Sequence, residues 1–286
     1  MGRRISVIGG DMRQITLAEY LIKDGFDISI FGFDASACGE TKSSESLSDA
    51  LSGSKTVVLG INPCNENMNI SAPLWSDTIS ARTLIHHISP ESTVIGGKIS
   101  PDFISLCKEK NITCIDYVLR EDFAVLNAVP TAEGAIELAM QELPVTLHLC
   151  NCLVTGFGRI GKILARDLAF LGADVTCSAR KSSDIAWINS LGYNAVYTKN
   201  LSEHVHNCTV IFNTIPHLIF DREILRNLRP GTLIIDLASK PGGVDFKSAE
   251  SLGIKVIHAL SLPGKVAPAT AGKIIKDTLL NILNEM

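Results

Sequence analysis

Gly156-Phe157-Gly158-Arg159-Ile160-Gly161 decides the fold, because both of its flanks suit the same purpose. Ahead of it, Leu147-His148-Leu149-Cys150-Asn151-Cys152-Leu153-Val154-Thr155 reads as a buried strand. Behind it, Ile160, Ile163, Leu164, Leu168 and Leu171 form an apolar stripe at helical spacing, closed by Gly172. A strand, a G-x-G-x-x-G turn and a helix make the dinucleotide-binding arrangement. Gly156 permits the tight turn, Gly158 lets the backbone approach a pyrophosphate, and Gly161 lets helix and strand pack closely. The helix start offers N–H groups and a positive dipole end to the phosphates. Phe157, Arg159 and Ile160 belong to the same cofactor-binding turn by position.

The end of the next strand, Asp174 to Ala179, indicates which dinucleotide is bound. An NAD site places Asp or Glu about 20 residues beyond the glycines, to hold the ribose hydroxyls. Here Ser178-Ala179-Arg180-Lys181-Ser182-Ser183 follows, with no carboxylate before Asp184. Arg180 suits a 2′-phosphate through charge-assisted hydrogen bonds, and Lys181 and Ser178 add cation and hydroxyl. The expected cofactor is NADP. The alternative is a solvated turn whose Arg and Lys contact nothing.

The chain has 286 residues, enough for two ordinary domains, and its hydrophobic content of 46% supports full cores. A net charge of −4 gives no reason to expect nucleic-acid binding. No apolar run approaches the length of a membrane span. Met1-Gly2-Arg3 leads straight into a strand, which leaves no room for a signal peptide and implies a cytoplasmic protein. The eight cysteines contain no C-x-x-C pair, and no histidines sit at metal-ligand spacing, so no metal is expected. Cys150 and Cys152 read as alternate residues of one strand.

Along the first half, strands at 4–9, 27–31, 56–59, 92–95 and 112–115 alternate with helices at 15–24, 75–87 and 102–110; Ala35 to Ser54 reads as a polar connection. In the second half, strands at 147–155, 174–178, 194–197, 208–213, 232–237 and 255–258 alternate with helices at 160–171, 184–191, 222–228 and 246–252. The expected fold is α/β, with two doubly wound parallel-sheet lobes joined by two crossover helices. Residues 1–126 with 266–286 form a flavodoxin-like or Rossmann-like lobe. Residues 127–144 form a crossover helix, helical over 131–141, and 145–265 form the Rossmann NADP-binding domain. A last helix over 269–285 returns to the first lobe and leaves a cleft between the two.

Five segments together carry a more specific resemblance. They are Val7-Ile8-Gly9-Gly10-Asp11-Met12-Arg13-Gln14, Val129-Pro130-Thr131-Ala132-Glu133-Gly134, Asn213-Thr214-Ile215-Pro216, Asp236-Leu237-Ala238-Ser239-Lys240-Pro241-Gly242-Gly243, and Leu262-Pro263-Gly264-Lys265-Val266-Ala267-Pro268-Ala269-Thr270-Ala271-Gly272. In this order and spacing the sequence resembles the dipicolinate synthase A chain of spore-forming bacteria, over essentially its full length. The resemblance implies a pyridine-nucleotide-linked subunit that works with a flavoprotein-like dipicolinate synthase B chain in the mother cell during sporulation. The implied reaction makes dipicolinic acid from a dihydro- or hydroxytetrahydro-dipicolinate.

A small dicarboxylate substrate asks for Arg, backbone N–H groups or hydroxyls. Arg13 opens the first helix just beyond the first strand, where open parallel sheets place ligands, and Gly9-Gly10-Asp11 beside it is a candidate anion cradle. The plainer reading has Asp11 merely capping the helix. Arg120-Glu121-Asp122 reads either as cleft lining or as a solvated charge cluster. Asn213, Thr214, Ile215 and Pro216 follow the fourth strand of the second lobe and are expected beside the nicotinamide ribose. Gly242-Gly243 is expected to let backbone approach the ligand. Gly264 and Thr270 belong to the return hinge, with Thr270 in a first-turn or cap position. His217 is the only histidine beside a cofactor loop and the candidate for acid–base work, together with Arg13. Two other readings share these residues: a two-lobed amino-acid or hydroxy-acid dehydrogenase, and a non-catalytic nucleotide-binding scaffold. Homo-oligomerisation is a further expectation that the sequence leaves open.

Overall fold

The computed structural model describes residues 4–39, 41 and 43–286. Met1–Arg3 therefore lie outside the described residues, as do Glu40 and Lys42 of the polar connection. The chain divides into two units, Met1–Asn127 with Ala267–Met286, and Ala128–Val266. The first holds β1 (Arg4–Ile8), α1 (Met12–Lys23), β2 (Asp27–Phe31), α2 (Leu47–Leu51), β3 (Thr56–Ile61), α3 (Ala81–His87), β4 (Thr93–Gly97), α4 (Pro101–Glu109) and β5 (Thr113–Asp116). Helix α5 (Glu121–Glu142) carries the chain onward. The second unit continues with β6 (Asn151–Thr155), α6 (Arg159–Phe170), β7 (Asp174–Ala179), α7 (Ser182–Ser190) and β8 (Asn194–Tyr197). It ends with β9 (Val210–Asn213), α8 (Arg222–Arg226), β10 (Leu233–Asp236), α9 (Phe246–Ser251), β11 (Lys255–His258) and α10 (Leu262–Val266). Helix α11 (Pro268–Glu285) then closes the first unit.

Both sheets are parallel, as the strand–helix alternation predicts. Their orders are β2-β1-β3-β4-β5 and β11-β10-β9-β6-β7-β8. Read from β8, the second is the Rossmann order 3-2-1-4-5-6, and the first is the flavodoxin-like order 2-1-3-4-5. The central strands are apolar on both faces because helices cover both. Ile5 and Val7 pack with Leu17, Leu21, Ile275 and Leu279, while Ile8, Val57 and Leu59 pack with Leu84 and Phe103 on the other side. Each such fully buried side chain contributes about 1.5–3 kcal/mol. Helix α11 crosses α1 at close range through Gly272, where a Cβ would lie 2.7 Å from the Arg13 carbonyl oxygen and 2.8 Å from Thr16. No helix among the described residues is long and apolar enough to cross a membrane.

Four local expectations fail for identifiable reasons. Helix α5 begins at Glu121, ten residues before the expected start, with Pro130 inside it. Buried Ala128, Ala132, Ala135 and Ala139 recur along one face, and their packing outweighs the backbone bond that the proline removes. The strand expected from Leu147 begins only at Asn151, because Leu149 takes a φ of 60° and donates its N–H to Gly172 (2.8 Å). Cys150 therefore precedes the strand that carries Cys152. The helix expected from Trp75 begins at Ala81, where the Ser80 hydroxyl accepts the Thr83 N–H (3.0 Å) and caps it. Within the polar connection, Leu47, Ala50 and Leu51 bury one face of α2, capped by Ser46. Arg120 joins Asp122 and, with both prongs, Glu285 (2.6 and 2.8 Å), so it fastens the start of α5 to the end of α11.

Candidate functional site

The glycine turn follows β6 at the C-terminal edge of the second sheet, beside the β6–β9 switch point. Its three glycines have separate duties. Gly156 has a φ of 92°, and a side chain there would run into the Thr214 hydroxyl and Ile215. Gly161 faces the turn, and a Cβ would lie 3.0 Å from the Gly156 carbonyl carbon and closer still to its oxygen. At Gly158 a Cβ would meet nothing within 4 Å. That contrast marks Gly158 as the one glycine of the turn not required by the protein's own packing. Gly158 is also the N-cap of α6 and brings no side-chain cap, and the first turn carries no acid. The start of α6 therefore presents backbone donors and its positive end to an anion. Phe157 is buried beneath the turn, with the Lys162 ammonium 5.6 Å from its ring centre, while Arg159 is exposed and Ile160 half-buried.

At the end of β7, Ser178 is buried, and its carbonyl oxygen accepts the Gly156 N–H (3.0 Å). Its part is to hold the turn. Arg180 and Lys181 are exposed, and their side chains make no hydrogen bond or ion pair among the described residues. Lys181 is the N-cap of α7 without a side-chain cap, and Ser182 and Ser183 open that helix. Two cations and an uncapped helix start thus stand where a ribose 2′-substituent is expected.

The end of β9 differs from expectation. Asn213 is 0% exposed and all its amide capacity is used inside the protein. Its Oδ1 accepts from the Thr155 hydroxyl (2.6 Å) and the Ile215 N–H (3.1 Å). Its Nδ2 donates to the Ile215 carbonyl (3.0 Å) and to Asp236 Oδ1 (2.8 Å). Thr214 likewise donates its hydroxyl to the Thr155 carbonyl (2.8 Å). The side chains of Asn213 and Thr214 therefore shape the loop, leaving half-buried Ile215 and exposed Pro216 and His217 as its outward residues. Gly242 and Gly243 also face inward. A Cβ on Gly242 would lie 2.6 Å from Asp236 Oδ2, and one on Gly243 would run into Asn213 Nδ2. Their close approach is to these two side chains rather than to a ligand. Asp236 is the site residue that the sequence reading missed. Its signal was a carboxylate ending an otherwise wholly apolar strand, Leu233-Ile234-Ile235-Asp236.

In the first unit, Gly10, Asp11 and Arg13 come together at the start of α1, but the anion cradle is already filled. Gly9 donates its N–H to Phe31 O (2.8 Å), Gly10 to Ser71 O (2.7 Å) and Asp11 to Gln14 Oε1 (3.0 Å). The plainer reading of Asp11 holds: it caps α1 in a reciprocal box with Gln14. Arg13 is only 8% exposed and grips Asp11 through Nε (2.9 Å) and Nη2 (2.7 Å). Burial opposes the charge on each, yet the mutual hydrogen bonds and attraction hold Arg13 above and Asp11 below their ordinary pKa values. Arg13 Nη1 has no partner among the described residues. Nearby, the Tyr117 hydroxyl and Gln14 Nε2 are buried without hydrogen-bond partners, and burial raises the Tyr117 pKa above that of a free phenol. Thr270 is an exposed residue in the first turn of α11, whose cap is Ala267, and Gly264 lies half-buried in α10 of the second unit.

The family model for the N-terminal domain of the dipicolinate synthase A chain matches residues 4–118. The dipicolinate synthase A chain of Bacillus subtilis is 35% identical over the whole of this chain and 97% of its own length. The crystal structure of the dipicolinate synthase A chain from Bacillus subtilis superposes with a TM-score of 0.90 at 34% identity, covering 100% of this chain and 97% of that one. A transhydrogenase from Sinorhizobium meliloti, at 17% identity and a TM-score of 0.75 over 99% of this chain and 92% of its own, shares the fold. The resemblance drawn from the five motif segments is borne out over the full length.

Proposed function

The protein belongs to the dipicolinate synthase A chain family, and on that premise we propose that it is an NADP-dependent oxidoreductase subunit that forms dipicolinate. The observation that carries the reading is the open space at Gly158 between two glycines that the protein's own packing requires. The residues present fit a pyridine dinucleotide. The turn from Gly156 to Gly161 and the start of α6 would hold its pyrophosphate, and Arg180 with Lys181 its 2′-phosphate. The nicotinamide half would lie over the β9–β10 side of the crest, near Ile215, Pro216 and His217. A bound nicotinamide supplies the hydride acceptor that aromatisation of a dihydropyridine requires, with one proton released alongside. His217 is the proposed proton acceptor, being the exposed histidine of that loop.

Arg13, through the Nη1 that Asp11 leaves over, is the proposed partner of a substrate carboxylate, with Thr270 of the same unit as a further contact. A second, different chain is proposed as the working partner, in the mother cell of a sporulating bacterium. The Bacillus subtilis relative is named as one subunit of its synthase, which supports this. The deciding experiment is single-turnover reduction of NADP by the purified protein with a dihydrodipicolinate, with and without the partner. Absence of reduction under both conditions would refute the oxidoreductase reading.

Two substitutions test the parts. Arg180→Ala is expected to weaken NADP binding by about 1–3 kcal/mol, the scale of a lost charge-assisted hydrogen bond, and to leave NAD nearly unchanged. Equal losses for both cofactors in calorimetry would remove Arg180 from the 2′-phosphate. Arg13→Ala should raise the KM for the dicarboxylate while NADP affinity stays as it was. Arg13→Lys should recover only part, since one ammonium cannot serve Asp11 and a ligand in the same planar fork. Wild-type kinetics in Arg13→Ala would move the carboxylate site elsewhere.

A further inference from the structure

With the second unit read as a pyridine-nucleotide site, the adenosine half falls on the β7 side of the glycine turn and the nicotinamide half on the β9–β10 side. Resting on that reading, we propose that Asp236 and Asn213 are positioning residues for the nicotinamide half: they set the two loops against which it lies, without touching it. The loops are residues 214–219, which leave β9, and 237–243, which leave β10.

Asp236 is 0% exposed and no cation is paired with it among the described residues. Three N–H donors satisfy its oxygens instead. Oδ1 accepts from Asn213 Nδ2 (2.8 Å) and the Ala238 N–H (3.1 Å), and Oδ2 accepts from the Gly243 N–H (2.8 Å). The carboxylate thus gathers both ends of the 237–243 loop onto one point. His258 adds a third tie, its Nε2 lying 2.9 Å from the Ala238 carbonyl oxygen. Asn213 treats the other loop the same way, gripping both the N–H and the carbonyl of Ile215. The two loops are then joined directly, since Ile219 and Phe220 both donate N–H groups to the Gly243 carbonyl (2.9 and 3.0 Å). Thr214, bonded to Thr155 and pressed against Gly156, carries the arrangement to the glycine turn.

Stability alone does not call for this pair. An apolar pair of similar volume fills a core at least as well, whereas a buried carboxylate must be fully hydrogen-bonded to be tolerated. What the pair adds is one defined conformation for two loops at the crest. Asp236→Asn tests this with almost no change in volume. Whichever way the new amide turns, its NH2 faces either Gly243 N–H or the donors of Asn213 and Ala238, so at least one tie is lost.

The experiment titrates the full chain with NADPH or NADH, whichever the wild type binds more tightly, and with the matching adenosine fragment, adenosine 2′,5′-bisphosphate or ADP. In Asp236→Asn the dinucleotide should bind at least ~10-fold more weakly, the fragment within about twofold of wild type. Dihydronicotinamide fluorescence on binding should change with it. Equal weakening of both ligands, or unchanged dinucleotide affinity, overturns the proposal. Should circular dichroism show Asp236→Asn unfolded, Asn213→Ser replaces it. That variant keeps the two backbone ties of Asp236, and the same split between dinucleotide and fragment is required. A wild-type chain that binds neither dinucleotide defeats the cofactor reading itself, and with it the role proposed for Asp236 and Asn213.

Discussion

Gly158→Val should yield a folded protein that no longer binds a pyridine dinucleotide. The backbone at Gly158 is extended, with φ −85° and ψ −159°, a conformation open to any residue. A Cβ there meets no protein atom within 4 Å, so the fold has room for the side chain. The structural cost is that of a poor N-cap, about 1 kcal/mol. The ligand has no such room. The valine methyls stand over the first N–H groups of α6, where a pyrophosphate must come within hydrogen-bond distance. A loss of at least ~100-fold is expected, equivalent to about 2.7 kcal/mol. Circular dichroism should match wild type while calorimetry shows no NADP binding. A folded Gly158→Val chain with wild-type affinity would put the dinucleotide somewhere else.

Gly161→Ala should do the reverse and injure the fold itself. The single added carbon points into the Gly156 carbonyl group, which is held in place by the Gly156 N–H bond to Ser178 on β7. A flexible side chain would yield, but this carbonyl cannot move without pulling the turn off the sheet. Overpacking of this kind costs about 3 kcal/mol, more than the ~1 kcal/mol that alanine gains over glycine inside a helix. The net loss of about 2 kcal/mol should lower the melting temperature by roughly 4–8 °C for a domain of this size. An unchanged melting curve would show that α6 stands further from β6 than described. The same motif thus predicts different phenotypes three residues apart: one variant folds and does not bind, the other folds with reduced stability.

Much of the architecture was legible in the sequence. The glycine turn with its flanking apolar runs specified a Rossmann unit, and strand–helix alternation specified two parallel sheets, because hydrophobic period and glycine spacing are local properties. Arg180 and Lys181, exposed at the end of β7, were equally readable, since the absence of a carboxylate there is a fact of sequence. Other features depended on what each residue meets in three dimensions. Val129-Pro130 looks like a helix start, yet the buried alanine face runs the helix through the proline. Gly9-Gly10-Asp11 resembles the glycine turn of the second unit, but Ser71, distant in sequence, takes the Gly10 N–H, and Gln14 takes that of Asp11. Asn213 has the residue type and place of a cofactor ligand, but Asp236, 23 residues later, claims its amide. In each case sequence supplied a group able to make a hydrogen bond or pack a surface. Tertiary structure decided which partner it found, because a buried polar group binds whatever the chain brings within about 3 Å.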